Sequence, residues 1–399
     1  MNEIIKDNKI ISQIKNSPVD NFKNAVIKEA VIKIIGVGGA GGNIVKTATQ
    51  HFANHTTLKY IDIIAANTDA QALKLNPTNY KIQMGRQTNR GLGAGGRPEE
   101  GKRAAIESWE EIEKYLLPSD LVIITGGMGG GTGTGAMPVI AEKLKQVKPK
   151  PPITLAVLTK PFSSEGEEKT RIAEEGIKEI KKHIDAIITI PNDRILKLST
   201  DIKAIEAYKK VDHVLVDIIT GITDVIATPS DINVDFADIE SILTKSGTAL
   251  VGIGRGKGEN KHIKAIKSAI ESPLIENVNI QNSKGIIVYF KCNPNIRAIE
   301  ENEVKDYIYK KVANPKVKFK YGTYYSEEIS EDEITIILIA TGFGFENDEF
   351  IFNFKGNSTL LDENIEEQIN DNFEFEYDDK IDISKPAYLR RKGKTIYLD

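Results

Sequence analysis

The sequence predicts an α/β protein: a parallel sheet covered by helices, then a long central helix, then a second α/β domain with a mixed sheet. Three observations carry this. Apolar runs of strand length alternate with helical periodicity between residues 30 and 190, the pattern of a parallel sheet buried on both faces. One long helical pattern spans residues 204–227 and is closed by Pro229. Beyond it the strands alternate more in polarity, as mixed sheets do.

In order, the first strand is 30–37, an Ala-Val-Ile-Lys-Ile-Ile run ending in glycines. A helix follows at 43–52 and a second strand at 60–66. Residues 99–116 carry one helical repeat that ends before Pro118. Residues 121–124 are a buried strand, 137–147 a helix, 153–158 a strand, 167–183 a helix and 186–190 a strand. Past the long helix, strands are expected at 248–253, 283–290, 316–321 and 333–340, with helices at 261–272 and 300–313. Residues 1–28 read as a flexible arm. Residues 344–381 read as an acidic linker rich in Asn, and residues 382–399 as a basic tail. The domains are accordingly drawn at 29–203, 204–229 (the central helix) and 230–343.

Composition narrows the class. With 399 residues, 40% hydrophobic and 28% charged, the chain suits a globular protein of two domains. A net charge of -4 argues against a general nucleic-acid binder. The single cysteine, Cys292, excludes an internal disulfide, fits a reducing cytoplasm and reads as a small apolar strand residue. The first residues lack the continuous apolar core of a signal peptide, and no run reaches the roughly 18 apolar residues of a membrane span. The five histidines have no metal-ligand spacing, Trp109 reads as helix packing, and Ser163 and Ser164 have no triad partners.

Two glycine-rich turns, each between a strand and a helix, carry the chemistry. The first is Gly36-Val37-Gly38-Gly39-Ala40-Gly41-Gly42-Asn43; the second is Gly126-Gly127-Met128-Gly129-Gly130-Gly131-Thr132-Gly133-Thr134-Gly135. Glycine lets backbone N–H groups approach a ligand, and a helix N-terminus adds partial positive charge, so each turn is an anion site. Alone, the first is the G-x-G-x-x-G of a Rossmann-like dinucleotide fold, with Asp69 after the next strand, and a nicotinamide or flavin enzyme would fit. The second turn changes that reading. Two converging helix N-termini suit a di- or triphosphate. There is no G-x-x-x-x-G-K-[ST], so this is not a P-loop protein. Neither turn holds a lysine, so backbone dipoles and a metal ion, Mg²⁺ by its preference for phosphate oxygen, must carry the phosphate charge.

The Gly129-to-Gly135 turn, GGGTGTG, resembles the signature shared by the tubulin/FtsZ family of GTPases. Asn67-Thr68-Asp69-Ala70-Gln71-Ala72-Leu73, Gly91-Leu92-Gly93-Ala94-Gly95-Gly96, Thr159-Lys160-Pro161-Phe162 and Ile190-Pro191-Asn192-Asp193 resemble further family blocks. Asn233-Val234-Asp235-Phe236-Ala237-Asp238 is similar to the loop that points to the bacterial, FtsZ branch. The resemblance runs from about residue 30 to 342. It implies a GTPase domain of Rossmann-like parallel sheet, and a protein that polymerises head to tail into filaments of the bacterial division ring.

Residue by residue, the resemblance implies a GTP or GDP site. Gly38, Gly39, Ala40, Gly41, Gly42 and Asn43 hold the diphosphate from one turn, and Gly130, Gly131, Thr132, Gly133 and Thr134 from the other. Asp69, Ala94, Gly95 and Gly96 belong to loops contacting the nucleotide. Glu165 and Asn192 flank ribose and base. Tyr208 stands where the family usually stacks a phenylalanine on guanine. Asp212, one helical turn on, faces the same way and accepts from the guanine N1–H and N2–H₂. Lys169 replaces the family's usual arginine, trading a bidentate fork for a point charge, and Ser164 replaces a common aromatic. Asp235 and Asp238, with Asn233, would act on the γ-phosphate of the neighbouring subunit. By spacing alone, Asn233 or Asp235 reads equally as a helix N-cap, with Asp238 favouring the helix dipole.

The end of the chain, Asp382-Ile383-Ser384-Lys385-Pro386-Ala387-Tyr388-Leu389-Arg390-Arg391, resembles the family's C-terminal peptide, with two residues inserted before the proline and tyrosine for phenylalanine. That implies recruitment of membrane-linked division proteins by a chain with no anchor of its own, acting in the cytoplasm at mid-cell.

Overall fold

A computed structural model describes residues 30–53, 61–196, 203–227, 235–271, 280–312 and 314–343. The arm, the acidic linker, the tail and Asn233 lie outside the described residues.

Among the described residues ten strands form one sheet in the order β3-β2-β1-β4-β5-β6-β7-β10-β8-β9. The first six are β1 (Ile32–Val37), β2 (Ile61–Asn67), β3 (Tyr80–Gln83), β4 (Leu121–Gly127), β5 (Ile153–Lys160) and β6 (Ala186–Pro191). All six run parallel. Their register stacks isoleucines across the centre: Ile35 stands between Ile64 and Ile124. Side chains alternate between two cores because the strand period is two. Ile32 and Ile34 point to one, Ile35 and Val37 to the other. Burial on both faces is why these strands read as unbroken apolar runs.

On one face lie α1 (Gly38–Phe52), the long α8 (Ala204–Ala227) and α9 (Phe236–Leu243). On the other lie α3 (Pro98–Glu107), α4 (Trp109–Leu116), α5 (Gly131–Lys145) and α6 (Glu167–Ile180). Two short helices, α2 (Ala70–Leu75) and α7 (Asn192–Leu196), follow β2 and β6.

The sheet continues through β7 (Gly247–Lys257), which starts parallel to β6 by pairing Ala186 with Gly247. Then β10 (Glu333–Thr341) runs antiparallel to both β7 and β8 (Gly285–Cys292), and β9 (Lys318–Tyr325) parallels β8. The second half is thus mixed, as expected, but it extends the first sheet. Helices α10 (Lys261–Ile270) and α11 (Ala298–Val312) close its outer core. The apolar side of α8 serves both halves: Leu215, Ile219 and Ile222 share a core with Ile34 and Ile123 and with Tyr289 and Ile337. Near its end, buried Asp224 pairs with Lys291 of β8 at 2.7 Å. Cys292 is buried, and burial pushes its thiol up to about 12, which leaves it inert.

β3, α2 and α7 have no counterpart among the expected elements, and three helical expectations differ in extent. The helices expected from residues 43 and 137 begin at Gly38 and Gly131, inside the glycine turns. The repeat at 99–116 is two helices that break at Ser108. There the Gly85 N–H donates to Ser108 Oγ at 2.9 Å, and Glu107 accepts from Gln87 and Thr88 N–H at 2.9 and 3.0 Å. A loop held by those side chains bends what local periodicity alone would have kept straight.

Candidate active site

Chain polarity places the turns. Because β1, β4, β5 and β6 are parallel, the connections that follow them gather on one edge of the sheet, where ligands of open α/β folds bind. A cleft of about 370 Å³ opens there, lined by both glycine turns, Thr159, Glu165, Lys169, Asn192, Tyr208 and Asp212. That volume suits a nucleotide-sized ligand.

Helices α1 and α5 start at its floor. Neither first turn has a side-chain cap or an acidic residue. Their leading N–H groups lack intrahelical partners and carry the positive end of the dipole, so the floor is built for an anion. A β-carbon added at Gly39 or Gly130 would meet nothing within 4 Å, so both positions open toward the cleft. Gly38 takes φ +77°, where a β-carbon would stand 3.0 Å from Gly133 N; this close approach brings the two turns together. Thr132 Oγ1 lies 2.6 Å from Thr68 Oγ1, tying the start of α5 to the end of β2.

The opposite wall carries Tyr208, Glu165, Lys169, Asn192 and Asp212. Tyr208 is 48% exposed and meets Phe162 edge-to-face at 5.1 Å, so its ring is supported on one side and free on the other. Glu165 accepts from Phe162 N–H at 2.9 Å and Lys169 Nζ at 3.0 Å, and it also bonds the Tyr208 hydroxyl. Lys169 and Glu165 thus form an exposed i,i+4 pair on the wall. Asn192 is buried with no partner for its Oδ1, an orphaned acceptor that a ligand can satisfy. Asp212 is half-buried; burial pushes its pKa up to about 7, against the pull of Lys46.

Not every expected residue reaches the wall. Gly41 is a packing glycine: a β-carbon there would lie 2.7 Å from both Gly36 C and Thr125 O. Gly42 offers its carbonyl to Asn76 Nδ2 at 2.8 Å. Asp69 caps α2, accepting from Gln71 and Ala72 N–H at 2.9 Å each. Thr134 Oγ1 accepts from Gly129 N–H at 2.9 Å and so braces the second turn. Ala94 packs beside Gly131, while Gly95 and Gly96, with positive φ, stand open on the loop outside it. The sequence reading missed the wall residues Val37, Ile44, Met128, Pro161 and Val211, whose apolar character signals only core. Among the described residues no group of three His, Cys, Asp or Glu could hold a metal.

The acidic pair lies elsewhere. Asp235 caps α9 and accepts from Asp238 N–H at 2.9 Å, while Asp238 Oδ1 pairs with Lys320 Nζ at 2.7 Å. In the same helix Glu240 pairs with Lys150, just before β5, at 2.7 Å. Helix α9 thus sits at the edge where β5 begins, and the cleft sits where it ends. Eight strand residues separate the two edges by roughly 25 Å.

Comparison with known proteins places this architecture. Residues 31–200 match the GTPase domain of the tubulin/FtsZ family, and residues 247–344 match the C-terminal domain of the FtsZ family. The chain is 41% identical over 330 residues to cell division protein FtsZ of Helicobacter pylori, covering 82% of this chain and 84% of that protein. The chain belongs to the FtsZ family. It is 42% identical over 332 residues to cell division protein FtsZ of Azotobacter vinelandii, covering 83% and 81% of the two chains. A solved FtsZ dimer of M. jannaschii superposes with TM-score 0.73 at 33% identity, over 82% of this chain and 92% of that one. CetZ2 of Haloferax volcanii, solved as a GTPγS-bound protofilament, shares the fold: TM-score 0.67 at 17% identity, over 80% and 96%. As a member of the FtsZ family this chain is a tubulin-like cell-division GTPase, and its GTPase domain implies binding of GTP and GDP. No helix among its described residues is long and apolar enough to cross a membrane.

Proposed function

We propose that this FtsZ-family GTPase assembles head to tail and hydrolyses GTP at the contact between subunits, within filaments of the mid-cell division ring. The observation that carries this reading is the separation of its parts: cleft at one edge of the sheet, Asp235 and Asp238 at the other. Among the described residues the cleft lining holds two carboxylates, Glu165, bonded to Phe162 N–H and Lys169, and Asp212, which this reading assigns to the base. Stacking one subunit on the next closes that gap. The relatives solved as a dimer and as a protofilament are consistent with it.

In this reading Gly39, Gly130 and the first turns of α1 and α5 cradle the β- and γ-phosphates, Tyr208 stacks on guanine, and Asp212 and Asn192 read and hold the base and sugar. Asp238 of the next subunit orients the attacking water, with Asp235 and Asn233 beside it. Completing a phosphoryl-transfer site from a partner chain is an established physical strategy. A Mg²⁺ ion would bind mainly to phosphate oxygens, helped by Asp235 and Asp238, and would neutralise charge there. The division at 29–203, 204–229 and 230–343 follows these roles. The tail from Asp382 to Arg391 would supply the membrane-linked partners, and its deletion should remove partner capture while leaving assembly intact.

The test is Asp238→Ala. GTP affinity should stay within about twofold, while steady-state turnover should fall at least about 100-fold, as for loss of a group acting only in the transition state. Affinity and turnover are measured on the same preparation, and turnover near that of the parent protein refutes the assignment.

A further inference from the structure

Beyond a metal ion on the phosphate oxygens, the glycine turns offer the developing charge no side-chain cation. Loss of the γ-phosphoryl group spreads negative charge over its equatorial oxygens. Neither glycine turn contains a lysine or arginine. Lys169, on the cleft wall, pairs with Glu165 at 3.0 Å. Even with a metal ion on the phosphate oxygens, bringing two carboxylates from the neighbour toward a triphosphate adds repulsion, since unit charges of one sign at such range repel strongly outside bulk water.

A cation stands beside those carboxylates. Strand period two puts Lys318 and Lys320 on one face of β9, against α9. Lys318 Nζ reaches the Ser241 carbonyl at 3.5 Å and braces the helix. Lys320 Nζ lies 2.7 Å from Asp238 Oδ1, with 46% of its side chain exposed. The Asp238 hydrogen bond and charge, and the charge of Asp235, raise the Lys320 pKa, so it stays protonated.

We propose that Lys320 travels with Asp238 into the neighbour's cleft and donates to a γ-phosphate oxygen of its GTP during hydrolysis. This rests on the shared-site reading and adds a residue to it. Asp238 holds the water; the water oxygen bonds to the γ-phosphorus; the bond from the γ-phosphorus to the bridging oxygen breaks, and its electron pair leaves with GDP. The water proton ends on inorganic phosphate, and Lys320 keeps its own protons throughout. An ammonium suits the place because it can keep one N–H on Asp238 while directing another at phosphate.

The test compares full-length Lys320→Gln and Lys320→Arg with the parent chain. Turnover per subunit is read well above the assembly threshold, and the threshold is read with GTPγS. Lys320→Gln should lower turnover about 100-fold, as for loss of one transition-state donor, and Lys320→Arg should restore it to within about tenfold of the parent. The threshold of Lys320→Gln should move less than about twofold, because an exposed ion pair adds little to the fold. Normal turnover by Lys320→Gln overturns the proposal. So does a threshold shift of about tenfold or more, which would make Lys320 an assembly contact. Asp238→Ala, run in parallel, separates the two claims: if it turns over, the shared site fails; if it is inactive while Lys320→Gln is normal, only the role of Lys320 fails.

Discussion

Asp212 shows how the proposed role of one residue works against the fold that holds it. Burial on α8 raises its pKa to about 7. An acid whose pKa rises on folding keeps its proton longer in the folded chain than in the unfolded one. The folded state therefore loses stability as pH climbs from about 4 to about 7, and the penalty is full above that. Asp212→Asn should thus stabilise the nucleotide-free protein by up to about 4 kcal/mol at pH 8 and by almost nothing at pH 4, read from urea midpoints. Guanine recognition runs the other way, because accepting from N1–H and N2–H₂ needs the carboxylate. GDP affinity, measured by calorimetry, should weaken about tenfold per unit as pH falls below 7, and should be flat with pH in Asp212→Asn. Matching profiles in the two proteins would remove Asp212 from base recognition. The candidate pair Tyr208 and Asp212 came from the family resemblance, and the spacing of one helical turn only put the two on one face. The orphaned Oδ1 of Asn192 was not legible, because only the packed structure shows which acceptors go unpaired.

At the scale of elements, glycine content was legible and glycine purpose was not. Gly39 and Gly135 look alike in sequence. A β-carbon at Gly39 meets open cleft, whereas one at Gly135 would stand 1.8 Å from the Pro98 carbonyl oxygen, where α5 packs on α3. Gly135→Ala should therefore cost about 3 kcal/mol of stability by overpacking. Gly39→Ala should leave stability unchanged or raise it by up to about 1 kcal/mol, because alanine is the better helix former. It should weaken GTP binding about tenfold or more by filling phosphate space. Denaturation midpoints and nucleotide titrations on both variants check the pair; equal stability losses would contradict it. The same ambiguity explains the late helix starts: low propensity hid the first turns of α1 and α5, where an anion in place of a cap is the design. The span of α8 agrees with its expected bounds because its apolar stripe is continuous from end to end. The break at Ser108 was illegible, since its cause is a loop from elsewhere in the chain.

Over the whole molecule, parallel strands dictate the arrangement. They send both glycine turns to one edge and leave the start of β5, with α9 beside it, at the other. Alternation of strand and helix made that polarity legible. It could not reveal that β7 carries the sheet on into the second half, because the link is a pairing of Ala186 and Ile187 with Gly247 and Thr248 that leaves no local signal. The central claim is that hydrolysis needs two molecules, and the direct measurement is GTPase rate per subunit against protein concentration, followed with light scattering. The account predicts negligible turnover at low concentration and a sharp rise above a threshold at which scattering also appears. A rate per subunit that stays constant down to concentrations where no assembly scatters light would contradict it.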